Sequence, residues 1–140
     1  MERREFIKTS CSLCLAVGGG MAMSALSSCA TFPVYSAIVA DGTLSVPLSV
    51  FSENKIQIIR PIGREYDIAL RKEENGTFRA LMLRCTHASN PLTYSGDGYT
   101  CRLHGSSFDA EGKVTHGPAE IPLTTFDTKL IGDSVQIIVM

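Results

Sequence analysis

Residues 85–108 read CTHASNPLTYSGDGYTCRLHGSSF, from Cys85 to Phe108. The stretch holds two Cys-to-His pairs, Cys85-Thr86-His87 and Cys101-Arg102-Leu103-His104, and no other part of the chain combines two thiols with two imidazoles. Thiolates and imidazoles are ligands of zinc, copper and iron–sulfur centres. The spacing is not that of a zinc finger, where Cys pairs with Cys and His with His. Each pair here supplies one sulfur and one nitrogen. That arrangement suits a binuclear centre in which one metal takes both sulfurs and the other both nitrogens.

Working outward, the flanks read as strands. Leu44-Ser45-Val46 alternates and Pro47 interrupts it, as on an edge strand. Leu48 to Phe51 continues as strand, and Lys55 to Arg60 forms another that Pro61 and Gly63 end. Tyr66 to Leu70 alternates, Asn75-Gly76 is a hairpin signal, and Thr77 to Arg84 delivers Cys85. Asp97-Gly98 is a second turn, which delivers Cys101, and Glu111-Gly112 a third. Thr125 to Ile131 and Ser134 to Met140 close the chain as strands. Short strands at this spacing predict an all-β sandwich or barrel. No convincing amphipathic helix follows residue 30.

The bulk numbers agree. A length of 140 residues suggests one domain, and 44% hydrophobic with 19% charged residues suits a globular chain. A net charge of -1 offers nothing to attract nucleic acid. Three of the five cysteines, Cys11, Cys14 and Cys29, lie in the N-terminal apolar segment, so only Cys85 and Cys101 serve the folded part. That count argues against a disulfide framework. A single Cys85–Cys101 disulfide is the plainer alternative, but it leaves the histidines unexplained.

The N-terminus reads as an address. MERREFIK opens with adjacent Arg3 and Arg4, an apolar run follows, and Leu26-Ser27-Ser28-Cys29 ends it. The Arg-Arg-x-Phe-Ile-Lys pattern resembles a twin-arginine export signal, departing from it at Glu2. Leu-Ser-Ser-Cys resembles a bacterial lipobox, which implies lipidation of Cys29 and a membrane tether without a spanning helix. An uncleaved anchor and ordinary signal cleavage are the alternatives. The expected organisation is a signal peptide at 1–28, a lipid tether or linker at 29–43 and a domain at 44–140. The protein is then exported, periplasmic and membrane-anchored.

The central stretch resembles the Rieske iron–sulfur domain, whose signature is Cys-x-His, a spacer, then Cys-x-x-His-Gly-Ser. Gly105-Ser106-Ser107-Phe108-Asp109 is similar to that family's second loop, and His116-Gly117-Pro118-Ala119-Glu120-Ile121-Pro122-Leu123 to its proline loop. The resemblance covers roughly Leu44 to Met140. It implies an antiparallel β-sandwich with a small cluster-binding subdomain of loops, and a 2Fe-2S cluster. Cys85 and Cys101 would ligate one iron, His87 and His104 the other, and Ser106 would donate to a bridging sulfide. Two neutral imidazoles in place of two thiolates raise the potential to about -150 to +300 mV, against about -400 mV for all-thiolate clusters. The imidazoles can release protons when the cluster is oxidised.

Two departures from the quinol-oxidising branch stand out. Asn90 (or a neighbour) and Leu103 occupy the places of that branch's extra loop cysteines, and Phe108 replaces its tyrosine. Both imply a potential in the lower or middle Rieske range. Arg84 and Arg102 are candidates for raising the potential or docking an anionic partner, and Leu92 and Leu103 for shielding the cluster. His116 reads as an exposed loop residue, Tyr94 and Tyr99 as packing, and Lys72-Glu73-Glu74 as a solvated hairpin end. The expected function is a membrane-tethered one-electron carrier between redox proteins, such as a cytochrome, a quinol oxidoreductase or a reductase. The rivals are a Rieske subunit of a quinol-oxidising, cytochrome b-containing complex, a ferredoxin serving an oxygenase, and a structural zinc domain.

Overall fold

The computed structural model describes residues 32–140. The expected signal and the lipidation site Cys29 lie outside the described residues. Eleven strands follow in order: β1 Val34–Ile38, β2 Thr43–Pro47, β3 Ile56–Ile62, β4 Ile68–Lys72, β5 Phe78–Met82, β6 Thr93–Tyr94, β7 Gly98–Thr100, β8 Ser107–Asp109, β9 Val114–His116, β10 Thr125–Ile131 and β11 Ser134–Ile138. They form a seven-stranded sheet, β1-β3-β4-β5-β10-β11-β2, and a four-stranded sheet, β6-β7-β8-β9. The edges β1 and β2 of the large sheet touch, so it nearly closes into a barrel. The expected all-β architecture is present, with the loop-bearing subdomain as the small sheet. Every strand pair is antiparallel except β1 with β3, which is parallel.

Leu44, Val46, Ile59, Ile68, Leu70, Ala80, Val135 and Ile137 fill the barrel. On the outer face Ile56, Ile58, Ala69 and Leu81 pack against the small sheet through Leu92, Tyr99, Phe108 and Leu123. Ile56, Gln57, Ile58 and Ile59 are all buried, because β3 is covered on both faces. That double covering explains why this strand lacks clean alternation. Gln57 is tolerated there because its Nε2 donates to the Val50 carbonyl at 2.6 Å.

Three expectations need correction. Leu48–Phe51 is a short 3₁₀ helix, not strand. Pro47 ends β2, Leu48 N–H turns to the Asp133 carbonyl, and the Gln57 amide holds Val50. Pro61 does not end β3, which runs to Ile62 and pairs Pro61 with Ala37. The third correction concerns the linker expected over 29–43. Val34–Ile38 is β1, Ala37 is buried in the barrel, and Thr43 opens β2. Phe32 stacks edge-on against Tyr94 with ring centroids 4.9 Å apart. Residues from Phe32 onward therefore belong to one compact unit. Alternation in the segment is weak because Val34, Ser36 and Ile38 are all exposed on an edge strand.

The registers also fix direction. Val34 pairs with Ile58, Ile58 with Ala69 and Ala69 with Leu81, so Val34 lies level with Leu81. Strand β5 runs the same way as β1 and leads into Cys85. The start of β1 therefore lies level with Leu81, four residues before Cys85.

Candidate metal centre

Two loops carry the four candidate ligands, and their backbones are built alike. In the first, Cys85 N–H donates to the Asn90 carbonyl at 2.8 Å, and Ser89 N–H donates to the Cys85 carbonyl at 2.8 Å. In the second, Cys101 N–H donates to the Ser106 carbonyl at 2.8 Å, and Gly105 N–H donates to the Cys101 carbonyl at 3.0 Å. The fifth residue of each loop is left-handed, Ser89 at φ 57° and Gly105 at φ 82°. Glycine takes that conformation freely, whereas serine pays a steric cost.

Each loop follows a strand of a different sheet. Strand β5 positions Cys85 and β7 positions Cys101. Both cysteines are 1% exposed, and both are free thiols, so the disulfide alternative is not what the fold adopts. Burial pushes the Cys101 thiol up, but hydrogen bonds from the Leu103 and His104 N–H groups and from the Cys85 thiol outweigh it, leaving its pKa below the ordinary value. Cys101 is thereby predisposed to the thiolate form that binds metal. His87 and His104 are exposed, with ring centroids 5.2 Å apart and planes at 88°. The site thus has a buried sulfur side and an exposed nitrogen side.

The proline loop crosses this site and is tied to both ligand loops. Ala119 N–H donates to Ser106 Oγ at 3.0 Å, and Thr86 Oγ1 donates to the Ile121 carbonyl at 2.7 Å. Ser106 is fully buried, and the bond to Ala119 uses an oxygen lone pair, leaving its hydroxyl hydrogen available to a further acceptor. Thr86 carries no signal in the sequence beyond its place between two candidate ligands. Pro118 and Pro122 are outside the strands of this loop region, and His116 is exposed at the end of β9.

Phe108 is buried at the floor of the site, in one apolar cluster with both cysteines. Its backbone is held close to β7: a Cβ on Gly98 would collide with the Phe108 carbonyl oxygen. Tyr99 is buried in the same cluster, and burial is the main cause that pushes its hydroxyl up to about 12. Leu92 is buried in the core, whereas Leu103 is 64% exposed beside His104. Glu73 is half-buried against Arg79, 3.0 Å from carboxylate oxygen to guanidinium nitrogen, rather than fully solvated. Arg102 is exposed. Arg84, which the sequence presents as a free charge, is committed: its Nε and an Nη donate to Ser89 Oγ at 3.1 and 2.7 Å.

Two thiols and two imidazoles fit a two-iron cluster, which asks for two protein donors at each iron. A single zinc ion would need at least three of them around one point.

Comparison with known proteins points the same way. A family model for the Rieske [2Fe-2S] domain matches residues 46–127, more than half of the chain. A 57-residue stretch is 39% identical to the Rieske subunit of the mitochondrial cytochrome b-c1 complex of Gallus gallus; it makes up 39% of this chain and 21% of that protein. The match thus spans about a fifth of that relative's length. Among solved structures, a chain of a hyperthermophilic respiratory complex III superposes with TM-score 0.54 and 16% identity, over 94% of this chain and 92% of that one. A chain in the complex of reduced oxygenase and oxidized ferredoxin of carbazole 1,9a-dioxygenase gives TM-score 0.52 and 23% identity, over 71% and 94%. At those identities the structures speak for the fold alone.

Proposed function

Because this chain belongs to the Rieske [2Fe-2S] domain family and carries a Rieske-type cluster, we propose that it is an exported, membrane-tethered carrier of single electrons between redox proteins. Cys85 and Cys101 hold one iron, and His87 and His104 hold the other through ring nitrogens. When bound, the cluster supplies reversible one-electron chemistry. The observation that carries the reading is the split of the site. Buried thiols keep the sulfur side dry, while the exposed imidazoles form the edge through which a partner exchanges an electron.

Cys29 precedes Phe32 by only two intervening residues, so a lipid there would leave little chain between the membrane and the domain. Replacing Cys29 with alanine is expected to move the protein from the membrane fraction to the soluble one, while retention in the membrane fraction would remove the lipid from the proposal.

A second reading, the Rieske subunit of a quinol-oxidising complex, draws on the likeness to the b-c1 subunit. Against it stand Asn90 and Leu103, which leave no loop disulfide, and Phe108. A redox titration across pH tests the proposal. The midpoint is expected in the lower or middle part of the range of about -150 to +300 mV, falling at alkaline pH as imidazole protons are lost on oxidation. A value near the top of the range would favour the quinol complex.

A further inference from the structure

The two ligand loops share the same backbone hydrogen bonds, and at the fifth residue, left-handed in both, the second has Gly105 and the first has Ser89. A serine there carries a steric cost that glycine escapes. Ser89 lies two residues after His87 and is held from outside the loop at two points. Tyr66 Oη donates to the Ser89 carbonyl at 2.6 Å across 23 residues of sequence. Arg84 donates twice to Ser89 Oγ, and its guanidinium lies over the Tyr66 ring, 5.7 Å from the centroid. Burial and the neighbouring Glu65 push the Tyr66 hydroxyl up, and the nearby Arg84 opposes them.

We propose that Tyr66 and Arg84 form a clamp that holds Ser89 in its left-handed conformation and so positions His87 at the cluster. Neither is a candidate ligand; both are positioning residues. The clamp connects the barrel, through the residue just before Asp67 and β4, to the imidazole of the first loop. The second loop has no need of an equivalent because Gly105 adopts its conformation without support. This assignment rests on His87 being a cluster ligand.

A double-mutant cycle on the cluster-loaded full chain tests it, using Tyr66→Phe, Ser89→Gly and the pair. The readouts are the electron paramagnetic signal of the reduced cluster and the rate at which its visible absorbance is lost on warming. Tyr66→Phe is expected to shift or broaden the signal and to speed cluster loss about fivefold, the scale of one hydrogen bond. In the Ser89→Gly background the same change should do little, because a glycine at that position needs no clamp. Equal effects of Tyr66→Phe in both backgrounds would overturn the proposal, and so would no effect in the parent. His87→Ala separates the two readings: if the cluster stays unchanged in that variant, the ligand assignment itself has failed.

Discussion

Replacing Cys85 or Cys101 with alanine is expected to abolish the cluster, taking iron and acid-labile sulfide from about two per chain to near zero. Each thiol is 1% exposed and sits within the apolar cluster that joins the two sheets. If they were only core residues, alanine would cost about 1–2 kcal/mol, as small core truncations do, and iron content would not change. The metal reading predicts the reverse emphasis: total loss of the visible spectrum with a fold that circular dichroism still reports as β. His116→Ala serves as the control, since His116 is exposed at the end of β9 and is no candidate ligand. Retention of full iron content in either cysteine variant would end the assignment of these two residues.

Ser106→Ala is expected to lower the midpoint potential by about 60 mV. A hydrogen bond to cluster sulfur stabilises the more negative, reduced state, so losing one lowers the potential. A differential contribution of ~1.4 kcal/mol corresponds to about 60 mV for one electron. The same substitution removes the acceptor of the Ala119 N–H, in a region where both partners are buried. An unpaired buried N–H costs about 1–3 kcal/mol, so the variant should also melt earlier. Phe108→Tyr tests the opposite sign. Phe108 is 2% exposed in the cluster that contains both cysteines, and Gly98 pins its backbone. An added hydroxyl should raise the potential by a similar amount. Two variants with unmoved potentials would show that neither side chain tunes the cluster.

How much of the site is legible in the sequence follows from where the information sits. Cys85, His87, Cys101 and His104 are local pairs in tight loops, so their chemistry is visible in a few residues. Ser106 is one step from Gly105 and comes with the loop. Thr86, Tyr66 and Ser89 are not legible, because their roles depend on partners 35 and 23 residues away. Arg84 reads as a free charge for a related reason: its acceptor Ser89 presents itself only when the loop has turned. Strand β1 reads as a tether because its exposed face carries apolar Val34 and Ile38, so its alternating burial leaves no apolar–polar pattern in the sequence.

The sequence by itself determined the candidate donors, the all-β class and the hairpin turns at Asn75-Gly76 and Glu111-Gly112, since each depends on residues adjacent in the chain. Tertiary structure alone decided the rest. It drew β1 into the barrel beside β3 and tied the proline loop to Ser106 and Thr86. It also set Ser89 under Tyr66 and Arg84. The physical reason is that hydrogen bonds and packing between distant segments depend on strand order and register, which short-range pattern does not encode.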